Sequence, residues 1–275
     1  MARKKADAER LIPYIKTMFV ATFSSAKEIV EETPIILISN RGRAEARQKA
    51  FEQTGARFKE DDDIRGEAIF GPKGRAVLIY TAVAAGDWDL CHTGWHELGH
   101  VMTKVINKEL FIEAENDVNA MHDTPIRSGM ALWSEFIAEY IALIVEDAEP
   151  ENPAWPKQDI LASLIHEATG TGSLNPYPLA FYCAMMMGDN TIEVMLRRQP
   201  NAAIGLDDCD DYTGELIVGL LNMLDKQLCQ DIFWDIKRES LERIGAQMDE
   251  LWSHCYYSPA AEILKKILKK KKSND

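Results

Sequence analysis

"GWHELGHVM", residues 94–102, sets two histidines four apart with a glutamate directly after the first. On a helix of 3.6 residues per turn, His96 and His100 project from one face. Both imidazoles can then meet one metal ion at about 2.0–2.1 Å, the usual zinc–nitrogen distance. Glu97 is rotated by roughly 100° from His96, which takes it out of the ligand set and leaves it able to lean over an open coordination position. Zinc lowers the pKa of a bound water to about 7, and a carboxylate beside that water can take its proton and later pass it to a leaving amine. The flanks fit a helix buried around a metal: Thr93, Gly94, Leu98, Gly99, Val101 and Met102 are all uncharged. Glycine inside a helix costs about 1 kcal/mol relative to alanine, so Gly99 points to the close approach of another element.

A catalytic zinc needs a third protein ligand. The extended metzincin pattern would require Gly at 103 and His at 106, where this chain has Thr103 and Ile106, and that class is excluded. Downstream, "WSEFIAEYIALI" (133–144) follows Leu132 with Phe136, Ile137, Tyr140, Ile141 and Ile144 as a broad apolar surface in which Glu135 and Glu139 sit four apart. Carboxylates on an apolar helix are costly to bury unless paired or bound to a metal. Glu135 is therefore the expected third ligand. Glu139, one turn on, is expected to accept the second ring N–H of a ligating histidine. Glu113, Glu115, Asp117 and Asp123 compete for the third position from a segment without periodicity. His122, His254, Tyr140, Tyr256 and Tyr257 are candidate transition-state donors with ordinary structural roles as the alternative. His92 could share the face of His96, but is expected in the preceding loop or the first helical turn. His166 reads as structural.

"TGWHELGHVM" together with "SEFIAE" resembles the zincin metallopeptidases, in particular the gluzincin branch. That resemblance covers residues 66–145 and implies a Glu on a following helix as third ligand and an acidic residue four positions later bracing a histidine. The Glu-x-x-Ala-Glu spacing at 135–139 matches, with Ala138 as the small residue. It also implies a sheet whose edge strand lies antiparallel to a bound peptide.

Around this centre the chain reads as a small sheet followed by helices. Residues 5–31 are expected as one amphipathic helix, "PIILIS" (34–39) as a buried strand, and 43–55 as a helix stopped by Gly55. "EAIF" (67–70) and "AVLIYTA" (76–82) flank Gly71-Pro72-Lys73-Gly74 and read as a hairpin. The acidic "EDDDIRGE" before it reads as a solvated loop. Further helices are expected at 92–108, 127–147, 157–168, 178–198, 213–247 and 258–272. The expected class is α+β: a zincin-like metallopeptidase core over 1–150, with a small mixed sheet, and a helical lobe over 151–275 packed against it.

At 275 residues and 46% hydrophobic content, the chain has ample material for a core. Its formal net charge of −13 argues against a general nucleic-acid binder, which needs basic surface. The one basic block, "KKILKKKK" (265–272), reads as a solvated helix end. Cys91, Cys183, Cys209, Cys229 and Cys255 are odd in number and lack metal-type spacing, which suits free thiols in a reducing compartment. No uninterrupted apolar run approaches the roughly 20 residues of a membrane span. Asp7, Glu9, Arg10 and Lys16 break up any signal-like start, so the expected location is the cytoplasm. The expected activity is Zn2+-dependent hydrolysis of a peptide or protein substrate, with His96, His100 and Glu135 on the metal, Glu97 as general base, and Glu139 behind the ligands. The competing readings are a zinc-bound but non-catalytic regulatory or binding module, and a helical interaction protein without metal.

Overall fold

A computed structural model of the protein describes residues 9–39, 43–56, 65–81, 86–112, 125–146, 176–188, 211–230 and 233–257. The helices expected at 157–168 and 258–272, the far end of the one expected at 178–198, the basic block and Cys209 lie outside them. Contacts divide the chain into two compact units, one of 1–106 with 137–148, the other of 107–136 with 149–275. This division differs from a split at residue 150 in placing residues 107–136 with the second unit.

In the first unit the N-terminal segment is not one continuous helix. Helix α1 (Leu11–Thr22) ends at Phe23, whose backbone leaves the helical region (φ −123°, ψ 80°). A 3-10 turn (Ser24–Ala26) and the short α2 (Lys27–Glu31) follow. The break lets Phe23 turn inward against the Phe19 ring, 5.5 Å away, and it buries Ala26 and Val30 as well. Pro13 sits in the first turn of α1, where its missing N–H is no loss.

The expected strand and hairpin both form. β1 (Ile35–Ile38) pairs in parallel with β3 (Gly74–Tyr80), Ile35 opposite Val77, and β2 (Gly66–Gly71) pairs antiparallel to β3 on its other side. The sheet order is β1-β3-β2. Helix α3 (Arg43–Thr54) links β1 to the hairpin and stops at Gly55, which takes the left-handed φ of 71° expected of a C-cap. Strand alternation assigns the two faces of β3. Ala76, Leu78 and Tyr80 pack with Ile38, Ile69, Ala50 and Phe51 under α3, while Val77 and Ile79 are buried on the opposite side. There runs α4 (Asp87–Ile106), the helix that carries "HELGH". Gly94 lets it settle against Ile15 and Ile79, since a Cβ there would come within 2.9 Å of Ile15.

Helix α5 (Pro125–Glu146) begins in the second unit and runs unbroken into the first. Its length and composition would suffice to cross a bilayer, but 61% of its most apolar window is buried inside the protein. It also holds Glu139 with no exposed surface. Those are features of a core helix. A Cβ on Gly99 would lie 2.8 Å from the Ala138 Cα and 3.2 Å from its carbonyl, so Gly99 is the point where α4 and α5 touch backbone to backbone.

The second unit contains α6 (Pro176–Gly188), α7 (Asp211–Leu228) and α8 (Arg238–Tyr257). The single helix expected over 213–247 is in fact two. The chain leaves the helix after Leu228, and the Gln227 amide donates to the Phe233 and Asp235 carbonyls while Asn107 clasps Trp234 O and Ile236 N. Cys91, Cys183 and Cys255 are buried free thiols and Cys229 an exposed one. Burial, followed by Asp87 and Glu146, pushes the Cys91 thiol up to about 11, in keeping with a packed residue rather than a nucleophile.

Gly99→Ala tests the packing of α4 on α5. The substitution gains about 1 kcal/mol of helix propensity, but overpacking against backbone typically costs about 1–3 kcal/mol. Gly219→Ala on α7 meets only the flexible end of Gln247. Urea unfolding is expected to rank Gly99→Ala below both the parent and Gly219→Ala.

Candidate metal centre

Asp87 and Asp89 lie in the first turn of α4 and Lys104 in its last, the arrangement the helix dipole favours at each end. Thr93 Oγ1 donates back to Asp89 O at 2.7 Å, and Arg65 reaches the Asp89 carboxylate at 3.1 Å. The helix therefore starts a full turn before His92. That corrects the expectation that His92 belongs to the loop or first turn: His92, His96 and His100 stand on three successive turns of one face.

Helix α5 lies antiparallel to that face, as the pairing order shows. His92 Nδ1 is 3.2 Å from Glu146 Oε2, and its Nε2 is 3.1 Å from Glu139 Oε1. His96 Nδ1 is 2.9 Å from Glu139 Oε2. Carboxylates accept and do not donate, so His96 Nδ1 carries a hydrogen and donates it to Glu139, which directs the opposite ring nitrogen, Nε2, towards His100. That nitrogen lies 3.0 Å from His100 Nε2, with the two rings nearly perpendicular at 81°. Two nitrogens on one tetrahedral ion at 2.0–2.1 Å would be about 3.3 Å apart, close to the spacing found.

Glu135 is one turn before Glu139 on the same unbroken helix. The ligand atoms of His96, His100 and Glu135 all lie within 4.8 Å of one another, forming a triad able to hold a metal ion. Two histidines and a carboxylate are a donor set used by catalytic zinc, so the residues fit the ion that the sequence implies. Glu97 is buried, and a Cβ on Gly66 would come within 2.7 Å of Glu97 Oε1. The first residue of β2 thus passes directly over this carboxylate.

Burial would by itself lower the affinity of His92 for its proton. The hydrogen bonds to Glu139 and Glu146 outweigh it and raise the imidazolium to about 9. Burial likewise pushes Glu139 upward, but the hydrogen bonds from His92 and His96, with their charge, hold it at about 2. Trp88, one turn before His92 and largely exposed, stacks on the His92 ring at 5.3 Å and 20°, a favourable place for an aromatic face beside a cation.

Of the other residues weighed from sequence, Tyr140 lies on α5 between Glu139 and Glu146. His254, Tyr256 and Tyr257 lie on α8, where His254 meets the Tyr212 ring edge-on and Tyr256 stacks on Trp252. Glu113, Glu115, Asp117, Asp123, His122 and His166 fall outside the described residues. Glu146 was not anticipated, nor was His92 in this role; the signal was the repeat of His at 92, 96 and 100, readable once α4 is known to begin at Asp87. Comparison with protein-family models, curated proteins and solved structures found no match for this chain.

The raised His92 value fixes the sign of a pH effect. The folded-state value of about 9 stands above the ordinary 6.5, so the stabilisation is complete below pH 6.5 and is lost as pH rises through 9. In metal-free protein, the melting-temperature gap between parent and His92→Leu is expected to shrink from pH 6 to pH 9.5. Each 1 kcal/mol lost corresponds to about 2–4 °C in a protein of this size. A gap independent of pH would contradict the ion pairing.

Proposed function

We propose that the protein is a zinc-dependent peptidase of gluzincin type, with His96, His100 and Glu135 as ligands and Glu97 as general base. The observation that carries this reading is the convergence of the three donor side chains, with the His96 ring held through its Nδ1–H by Glu139 so that Nε2 faces His100. When bound, zinc supplies Lewis acidity and brings the pKa of a water at the site to about 7.

The chain's own groups do the rest. Glu97 follows His96 directly, is buried, and bears no part in the Glu139 hydrogen bonds. Its carboxylate accepts the proton of the attacking water and returns it to the departing amine. The substrate's path is suggested by β2, an outer strand of the described sheet whose first residue lies against Glu97. An extended peptide adding alongside such a strand would hydrogen-bond to it through backbone groups and carry a scissile bond past the carboxylate.

Metal analysis of protein purified without added zinc, joined to peptide-mixture cleavage, tests this. One zinc per chain is expected. Glu97→Gln should keep the metal and lose activity by at least about 10²-fold, the lower end for general acid–base catalysis. Glu135→Ala should lose the metal. Absence of any bound metal sinks the reading, and stoichiometric zinc with no cleavage by the parent would replace it with a non-catalytic zinc module.

A further inference from the structure

On the same face of α4 as His96 and His100, the partly buried His92 has a carboxylate at each ring nitrogen. We infer that His92 is a positioning residue for the metal site: bound at both ring nitrogens, by Glu146 and Glu139, it fixes the Glu139 carboxylate that orients His96. The inference rests on the reading of His96 as a metal ligand.

The geometry leaves His92 one protonation pattern. Each of its nitrogens faces a carboxylate oxygen, at 3.2 Å to Glu146 and 3.1 Å to Glu139, and carboxylates only accept. Both nitrogens therefore carry hydrogen, and the ring is a cation set between two anions. Glu139 in turn gives one oxygen to each histidine, Oε1 to His92 and Oε2 to His96. With no exposed surface, it has no water with which to replace a lost donor. Remove His92, and the carboxylate is free to rotate about its last bonds towards the donor that remains. The His96 ring then loses the fixed plane and fixed tautomer that point its Nε2 at His100.

His92 is itself held on several sides. Glu146 anchors its far nitrogen from the last turn of α5, and Trp88 covers its face. Two anchors and a stacked ring are more than a buried histidine needs for mere satisfaction, and they leave its Nε2–H a single direction. The order Glu146, His92, Glu139, His96 thus extends the support of the ligand two residues beyond the usual single acceptor.

The experiment reads ring protons directly. In zinc-free parent protein near neutral pH, nitrogen-15 NMR of the histidine rings should show His92 protonated at both nitrogens and a hydrogen on His96 Nδ1. In His92→Leu, the His96 signals should shift to a mixture of tautomers, and zinc affinity should fall by about 10–100-fold. His92→Gln places an amide N–H₂ near the former Nε2 and should recover most of both. A folded His92→Leu protein with the parental His96 pattern and parental zinc affinity overturns the inference. So does a bare nitrogen on His92 in the parent, a reading that stands even if His92→Leu does not fold. A parent that binds no zinc defeats the metal-site reading instead, and the zinc-free spectra separate that failure from this one.

Discussion

Glu139 has no exposed surface, and each of its oxygens faces a histidine on the neighbouring helix. A carboxylate taken out of water is tolerable only with its hydrogen-bonding capacity met and its charge answered. Both conditions are met from α4, and only in one register. Slide α5 by a turn, and Glu139 loses its partners, Glu146 leaves His92, and Glu135 leaves the neighbourhood of His100. The register that satisfies one buried charge therefore also assembles the metal triad. Removing either partner of such a buried pair is typically destabilising by about 3–5 kcal/mol, so the alignment is strongly specified even before any metal binds.

Small residues make that alignment reachable. Gly99 brings α4 against the backbone of α5 at Ala138, beside Glu139. At a wider helix separation the hydrogen bonds of 2.9–3.1 Å could not form. Gly66 does the same on another side of α4, letting β2 cross over Thr93 and Glu97. Gly94 seats the helix on the sheet. Helix α4 thus meets each of three neighbours, with His92 and His96 towards α5 and Glu97 against β2.

Much of this was legible in the sequence because it was periodic or local. The apolar run 76–80 and the turn at 71–74 pointed to the hairpin; His96 and His100 share a face by helix geometry alone; Glu135 and Glu139 stood out as acids in an apolar stripe. Gly99 announced a close contact by its helix cost. What was missed turned on boundaries and partners. The start of α4 depends on Asp87 and Asp89 at the dipole's positive end, a weak signal beside the glycine before them. The breaks at Phe23 and after Leu228 come from tertiary demands, the burial of Phe23 beside Phe19 and the side-chain clasps by Gln227 and Asn107. The role of His92 required Glu146, fifty-four residues away, and no local pattern reports a partner at that distance.

The charge balance of the centre carries the argument one step further. Glu139 and Glu146 are two carboxylates drawn onto one imidazolium, His92, within a chain whose formal charge is already −13. Each of these two acids is answered by a ring nitrogen of His92. In a region of low effective dielectric, like charges at short range repel strongly, and an imidazolium set between two carboxylates converts that repulsion into attraction. His92 thereby lets the acids of α5 meet α4 at close range while Glu139 keeps an oxygen for His96. The paired charges of Glu146, His92 and Glu139 thus stand directly behind His96, one of the three side chains that converge as a possible metal triad.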